Sequence, residues 1–243
     1  MIQSGDDLAE IIMHSLSRVE IVLQDGDILV LAQKIVSKAQ GRLVNLAGVT
    51  PSQTAYDLAT KIEKDPRLLE LVLWESNAVL RTRPGSIIVD HRLGFVCANA
   101  GIDHSNVAGE GSQDEEWVLL LPDEPDAAAE AIRRRLEAAS GARLGILIID
   151  SHGRAWRLGV VGVAIGLSGL PGLVDLRGKE DLFGYKLRIT QVGAADELAA
   201  AASLVMGQAD EGTPVVHVRG FPYPLREASL RELLRPKSED LFR

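Results

Sequence analysis

The sequence predicts an α+β fold, mixed sheets with flanking helices, from three observations. Ser86-Ile-Ile-Val-Asp90 and Gly94 to Ala98 flank a short turn, which is the pattern of a β-hairpin. Elsewhere, apolar runs of strand length alternate with amphipathic stretches of helix length. Hairpins mixed with such strand–helix units favour α+β over a doubly wound parallel sheet. No repeat or low-complexity tract competes with this reading.

The elements follow in order. Asp6 to Leu23 has the apolar period of a helix, and Gly26 leads into a strand at Ile28-Leu-Val-Leu-Ala32. Gln33 to Lys38 forms the exit from that strand. Ser52, after Pro51, is a good N-cap for a helix reaching Lys64. The hairpin of residues 86–98 comes next. Gly109 to Glu116 is polar and acidic, as a surface loop should be. Trp117-Val-Leu-Leu-Leu-Pro122 reads as a strand. Asp126 to Ala139 is an Ala/Arg/Glu-rich helix leading into the strand Leu144-Gly-Ile-Leu-Ile-Ile149. Gly159 to Gly166 reads as a buried strand whose glycines allow close backbone approach. Leu187 to Val192 is a strand, Asp196 to Met206 an Ala-rich helix, Pro214 to Val218 a strand, and Ser229 to Leu234 a short helix.

Bulk properties narrow the function. A chain of 243 residues, 46% hydrophobic and 25% charged, can bury a sizeable core, as one domain or as two intimately joined ones. The formal net charge of −8 argues against nucleic acid as a partner, because a nucleic-acid binder needs a basic face to neutralise phosphates. A local cluster of Lys and Arg can still attract a small anion. The one cysteine, Cys97, allows no internal disulfide, and its apolar surroundings suggest a buried, inert thiol. The N-terminus shows no signal-peptide pattern, which points to the cytoplasm. The longest apolar stretch, Leu158 to Val174, holds five glycines and a proline and is too short and broken to span a membrane.

Two acidic turns carry the chemistry. Gly101-Ile-Asp-His-Ser-Asn106 and Ile148-Ile-Asp-Ser-His-Gly-Arg154 each follow an apolar strand. An Asp beside a small hydroxyl residue at a strand end suits Mg²⁺ or Mn²⁺, which prefer oxygen ligands and bridge carboxylates to phosphates. Asp is equally a turn former, so spacing alone leaves both readings open. Neither phosphate-loop nor dinucleotide signature is present. Lys34 and Lys38 could meet phosphate oxygens or be solvated surface lysines. The loop Met206-Gly-Gln-Ala-Asp-Glu-Gly-Thr-Pro214 could wrap a nucleotide, while Gly207 could equally end a helix. Arg154 and Arg157 are suited to grasping phosphate or carboxylate, and Trp156 between them reads as core. His104 and His152 each neighbour a key Asp. The histidines show no metal-binding spacing, and no G-x-S-x-G elbow is present.

Four segments in one order, residues 30–42, 92–107, 148–157 and 206–215, with Val218-Arg-Gly-Phe221 after them, resemble the coenzyme F420-0:γ-glutamyl ligase family. The resemblance covers nearly the whole chain, residues 1–243 as a single ligase unit. It implies the family's unusual α+β fold, an intertwined homodimer, and a GTP-dependent ligase. The reaction implied adds L-glutamate through γ-linkages to the lactyl phosphate tail of the deazaflavin coenzyme. Matched motif by motif, it assigns Asp103, Asp150 and Ser151 to divalent metal, Mg²⁺ or Mn²⁺, with room for a monovalent cation such as K⁺. It assigns Gln33, Lys34, Lys38, Asn106 and the loop Met206, Gly207, Gln208, Ala209, Asp210, Glu211, Gly212 and Thr213 to GTP. Asp103, Asp150 and Lys38 are then the catalytic candidates, with Arg154 and Arg157 on the acceptor. Two departures stand out. The family has a strand and a nucleotide-touching loop before the Gly5-Asp-Asp-Leu8 stretch, which here has only four residues ahead of it. Gln33-Lys34 stands where many relatives carry small hydroxyl residues.

Overall fold

A computed structural model of the protein describes residues 1–107 and 116–241. Helix α1 is Leu8–Arg18, started by Asp7, whose carboxylate accepts the Ala9 and Glu10 N–H groups. It is shorter than its apolar period suggested, because Glu20 adopts a positive φ just beyond the last turn. Strand β1, Ile28–Ala32, runs directly into helix α2, Gln33–Ala39. The strand exit is therefore helical rather than a loop. Strand β2 is Leu43–Asn45.

Helix α3, Gln53–Ile62, is capped by the Ser52 hydroxyl as expected. Helix α4, Pro66–Trp74, and strand β3, Ser76–Arg83, were not anticipated from sequence. Strands β4, Ser86–His91, and β5, Val96–Ala98, form the expected hairpin. Strand β6 is Trp117–Leu119 and helix α5 Pro125–Ser140. Most of the acidic loop expected over Gly109 to Glu116 lies outside the described residues.

Strands β7, Gly145–Arg154, and β8, Arg157–Ser168, make a long hairpin. The short strands β9, Val174–Asp175, and β10, Gln191–Val192, pair with each other. Helix α6, Ala194–Met206, and strand β11, Val215–Val218, complete the set, with a 3₁₀ turn at Leu230–Glu232 near the C-terminus.

The central sheet has the order β11-β1-β7-β8, with β1 and β7 parallel and the other pairs antiparallel. Both faces are covered, which is why β1 and β7 are apolar without alternation. Leu29, Leu31, Ile146 and Ile148 pack on one side with α1, α2 and α5. Ile28, Val30, Leu147 and Ile149 pack on the other with α6. Gly162 and Gly166 of β8 let the helices sit close, since a Cβ there would strike the Ala199 carbonyl and Pro125. The segment from β2 to β6 builds a second core from α3, α4 and the β3-β4-β5 sheet. Phe95 packs against this core and against the first, joining the two. Helices and mixed sheets in this arrangement make the molecule α+β. No helix among the described residues is long and apolar enough to cross a membrane.

Candidate active site

The parallel pair β1 and β7 creates the site. Their pairing ends at Ala32 opposite Ile149, so Asp150 is the first residue of β7 beyond the end of β1. Gln33 and Lys34 stand at the same level, at the start of α2. On the other flank of β1, the loop after α6 returns through Pro214, whose carbonyl accepts the Ala32 N–H at 2.8 Å. Strand end, helix start and loop therefore meet outside the carboxyl edge of the sheet, where open α/β sheets bind ligands.

The second core supplies the fourth side. Asp103 exchanges two backbone hydrogen bonds with Leu119 at 3.0 and 2.9 Å, which aims its carboxylate at α2. Neither key Asp is a turn former: Asp103 sits in a β-bridge and Asp150 pairs with Val163 in mid-strand. The bland turn reading falls for both.

One cavity of about 290 Å³ is lined by Asp103, Asp150, Ser151, Lys34 and Gln208 together. It adjoins a second of about 150 Å³, lined by Gln33, Lys34, Asn106, Asp150, Ser151 and the loop from Met206 to Thr213, Asp210 excepted. Arg154 and Arg157 do not line either cavity. They face each other at the exposed tip of the β7–β8 hairpin, where Trp156, expected in the core, is 89% exposed.

Within the cleft, Asp103 is held by α2. Gln33 donates to its Oδ2 at 2.8 Å while accepting the Ser37 hydroxyl at 2.8 Å. Lys34 Nζ lies 2.9 Å from the same oxygen and donates to the Ser105 carbonyl. Lys38 lines neither cavity but donates to the Asn106 carbonyl at 2.8 Å, and the Asn106 amide donates to the Ala209 carbonyl at 2.9 Å. Ser151 donates to Gln208 Oε1 at 2.9 Å, and Gln208 donates to the Ser203 hydroxyl. Glu211 accepts the Ala209 N–H at 2.8 Å, folding the loop on itself. Gly207 ends α6 with φ 74° and ψ −177°, a conformation open essentially to glycine alone.

Charge is unbalanced here. Burial raises the Asp103 carboxyl above its usual range, Lys34 works against that, and nearby Asp150 raises it further. Burial lowers the Lys38 ammonium, and repulsion from Lys34 lowers it more. Cys97 is pushed up to about 12 by burial first and by Asp150 second, so it is the inert thiol expected. No cluster of three or more His, Cys, Asp or Glu among the described residues could hold an ion. Two converging carboxylates beside a hydroxyl and an amide oxygen nonetheless suit a hard divalent cation. Mg²⁺ in particular uses one or two carboxylates and completes its shell with water and phosphate.

His152 was noted in the sequence only as a neighbour of Asp150. Its Nε2 lies 3.0 Å from Asp150 Oδ2. The signal was present: residues two apart on a strand share a face. Ser105 lay inside the first acidic turn but was given no role, and Ser203, an isolated serine in a helix, carries no pattern.

Comparison with known proteins shows the family of the chain. The sequence profile of the F420-0:gamma-glutamyl ligase family matches residues 1–220. The Coenzyme F420:L-glutamate ligase of Methanothermobacter thermautotrophicus is 47% identical over 245 residues, covering 100% of this chain and 95% of that one. Its counterpart in Methanopyrus kandleri is 46% identical, covering 100% and 93%. That of Methanocaldococcus jannaschii is 43% identical over 91% and 86%. On a match of this length and identity, the chain belongs to the F420-0:gamma-glutamyl ligase family.

Proposed function

We propose that this protein joins L-glutamate to coenzyme F420-0 through γ-linkages, using GTP and a divalent metal. The observation that carries the reading is the shared cleft. Carboxylates 47 positions apart in the chain, Asp103 and Asp150, line one cavity with Lys34 and Gln208 in a close relative of named glutamate ligases.

A carboxylate is a poor electrophile, so forming an amide requires its activation. In this mechanism an acceptor carboxylate oxygen attacks the γ-phosphorus of GTP, the bond to GDP breaks, and an acyl phosphate forms. The glutamate amine then attacks the acyl carbon. The C–N bond forms, the C–O bond to phosphate breaks, and the amine proton leaves with solvent. Crowded anionic oxygens dominate the barrier, so positioning and neutralisation supply most of the catalysis.

Asp103, Asp150 and Ser151 would hold the metal, with Mg²⁺ or Mn²⁺ supplying charge neutralisation at the phosphates and the acceptor carboxylate. Lys34 and Lys38 neutralise β- and γ-phosphate oxygens. Asn106 and the 206–213 loop enclose the nucleotide. Arg154 and Arg157, on the projecting hairpin, meet the acceptor's phosphodiester or carboxylate. In the same reading the chain is a homodimer. Trp156, Leu158 and Val160 on the hairpin and Leu182, Phe183 and Ile189 beyond it are exposed apolar side chains of the kind a subunit contact covers.

Incubation with GTP, Mn²⁺, glutamate and F420-0, followed by mass analysis, tests the reading. Glutamylated coenzyme and GDP are expected. GDP formed only with another acid would indicate a ligase of different specificity, and binding of GTP without GDP a nucleotide sensor. The variant Asp150→Asn should abolish glutamate addition and keep the fold. Near-normal turnover would remove Asp150 from the reaction.

A further inference from the structure

Among the described residues nothing gives Asp150 a hydrogen bond of the kind that fixes Asp103, yet its carboxylate is largely enclosed. What lies behind it is a column of rings. His152, on the same face of β7, approaches Asp150 Oδ2 at 3.0 Å. Phe95 packs on His152 with centroids 5.3 Å apart and planes tilted by 52°. His91 stacks on the other side of Phe95, centroids 5.0 Å apart and planes within 7°. Offset and tilted ring pairs at these separations are attractive beyond their buried area.

The far end of the column is anchored. His91 is fully buried, and its Nδ1 accepts the Leu93 N–H at 3.0 Å. Its proton therefore sits on Nε2, which faces Glu75 Oε2 at 3.7 Å. Burial pushes the His91 imidazole down to about 4, so a neutral ring meets Phe95. Glu75 is gripped by Arg42 and Arg92, each at 2.8 Å, and Arg92 reaches on to Asp123. These contacts tie the end of α4 and the turn of the β4–β5 hairpin to the chain between β6 and α5. The column thus starts in the second core and ends at the carboxylate on the central sheet.

His152 Nε2 is buried and makes no hydrogen bond among the described residues. Packing of the ring against Phe95 presents that nitrogen to the Asp150 carboxylate. A side chain backed by a packed neighbour has fewer orientations open to it, as with the supporting groups around metal-binding side chains.

We propose that His152, carried by Phe95 and His91, is a positioning residue that holds the Asp150 carboxylate in its orientation toward Asp103 for metal binding. The inference rests on the reading of Asp150 as a metal ligand. It also gives the second core a part in the reaction beyond supplying Asp103.

The test is Mn²⁺ titration of the metal-free protein, followed by the spin signal of free Mn²⁺, on wild type, Asp150→Asn, His152→Ala, His152→Gln, Phe95→Leu and the double variant His152→Ala/Phe95→Leu. Circular dichroism and thermal melts check that each variant folds. Asp150→Asn should weaken binding strongly, and His152→Ala and Phe95→Leu by about tenfold or more each, the loss typical of removing a ligand's support. The double variant should lose little beyond the singles, because both act through one column. His152→Gln, whose amide can still back the carboxylate, should recover most of the affinity. A purely structural role would lower melting temperatures and leave Mn²⁺ affinity unchanged. If Asp150→Asn weakens binding while the folded His152 and Phe95 variants bind as wild type, the positioning proposal is overturned. If Asp150→Asn itself binds normally, the metal assignment fails and the proposal falls with it.

Discussion

Asp103 and Asp150 reach the same cleft from two separate cores, and different forces hold them there. Asp103 comes from the second core and is caught by hydrogen bonds from α2, through Gln33 and Lys34. Asp150 comes from the central sheet and is backed by stacked rings that start in the second core. Each core thus constrains the carboxylate that the other one presents. Polar partners tune charge as well as position, whereas ring packing sets position alone. The side holding Lys34 can therefore balance anionic charge, and the side holding the rings can exclude water.

The largest expected effect would break the comparison outright. Asp103→Asn and Asp150→Asn should each reduce glutamate addition on the order of 10³-fold, read as product mass over time. They should differ in stability. The folded-state pKa of Asp103 is raised, so its ionisation costs stability that is not lost below the ordinary carboxylate range. That cost appears as pH rises through the raised value. Thermal melts should show Asp103→Asn gaining on wild type between acidic and neutral pH, and a flat difference would contradict the burial argument.

Next in size is Lys34→Met, which removes the cation on the Asp103 side. A charge-assisted contact is worth about 1.5–3 kcal/mol, so the KM for GTP should rise roughly 10- to 100-fold in steady-state kinetics. The same change removes the repulsion that lowers Lys38, whose titration should move back up.

Gly207→Ala is expected to weaken GTP binding by roughly tenfold, because forcing an alanine into that backbone conformation costs on the order of 1–3 kcal/mol. Calorimetric titration of the nucleotide checks it. Unchanged affinity would take the loop from Met206 to Thr213 out of the nucleotide site.

The smallest effect belongs to Gln33→Ala. Ser37 and Asp103 each lose one neutral partner, so stability should fall by about 1 kcal/mol and turnover only a few-fold. A loss as large as that of Lys34→Met would mean that Gln33 touches the nucleotide itself.

Several parts of the fold were legible because they are local. Ser52 capping α3, the hairpin of β4 and β5, and the glycine-permitted packing of β8 all follow from short-range chemistry. Helix α4 and strand β3 were not legible. Leu68, Leu69, Leu71 and Val72 run together without a clear period because the helix is buried on most sides. Strand β3 is mostly polar and, among the described residues, pairs on one side only. The helical exit from β1 was hidden because α2 has no capping side chain, and Ala32 leads into it directly.

By itself, the amino-acid sequence determined the α+β class and the apolar strands β1 and β7, and it singled out Asp103 and Asp150, for which spacing alone left a turn and a metal reading open. Periodicity and capping act within a few residues, so they can be read along the chain. Only the tertiary structure decided that Asp103 and Asp150 face one cavity and that rings from the hairpin back one of them. It also decided that Trp156 stands in the open at the hairpin tip. Such facts depend on which strand ends first, which face a carboxylate shares and which core lies behind it, and these follow only from packing distant segments together.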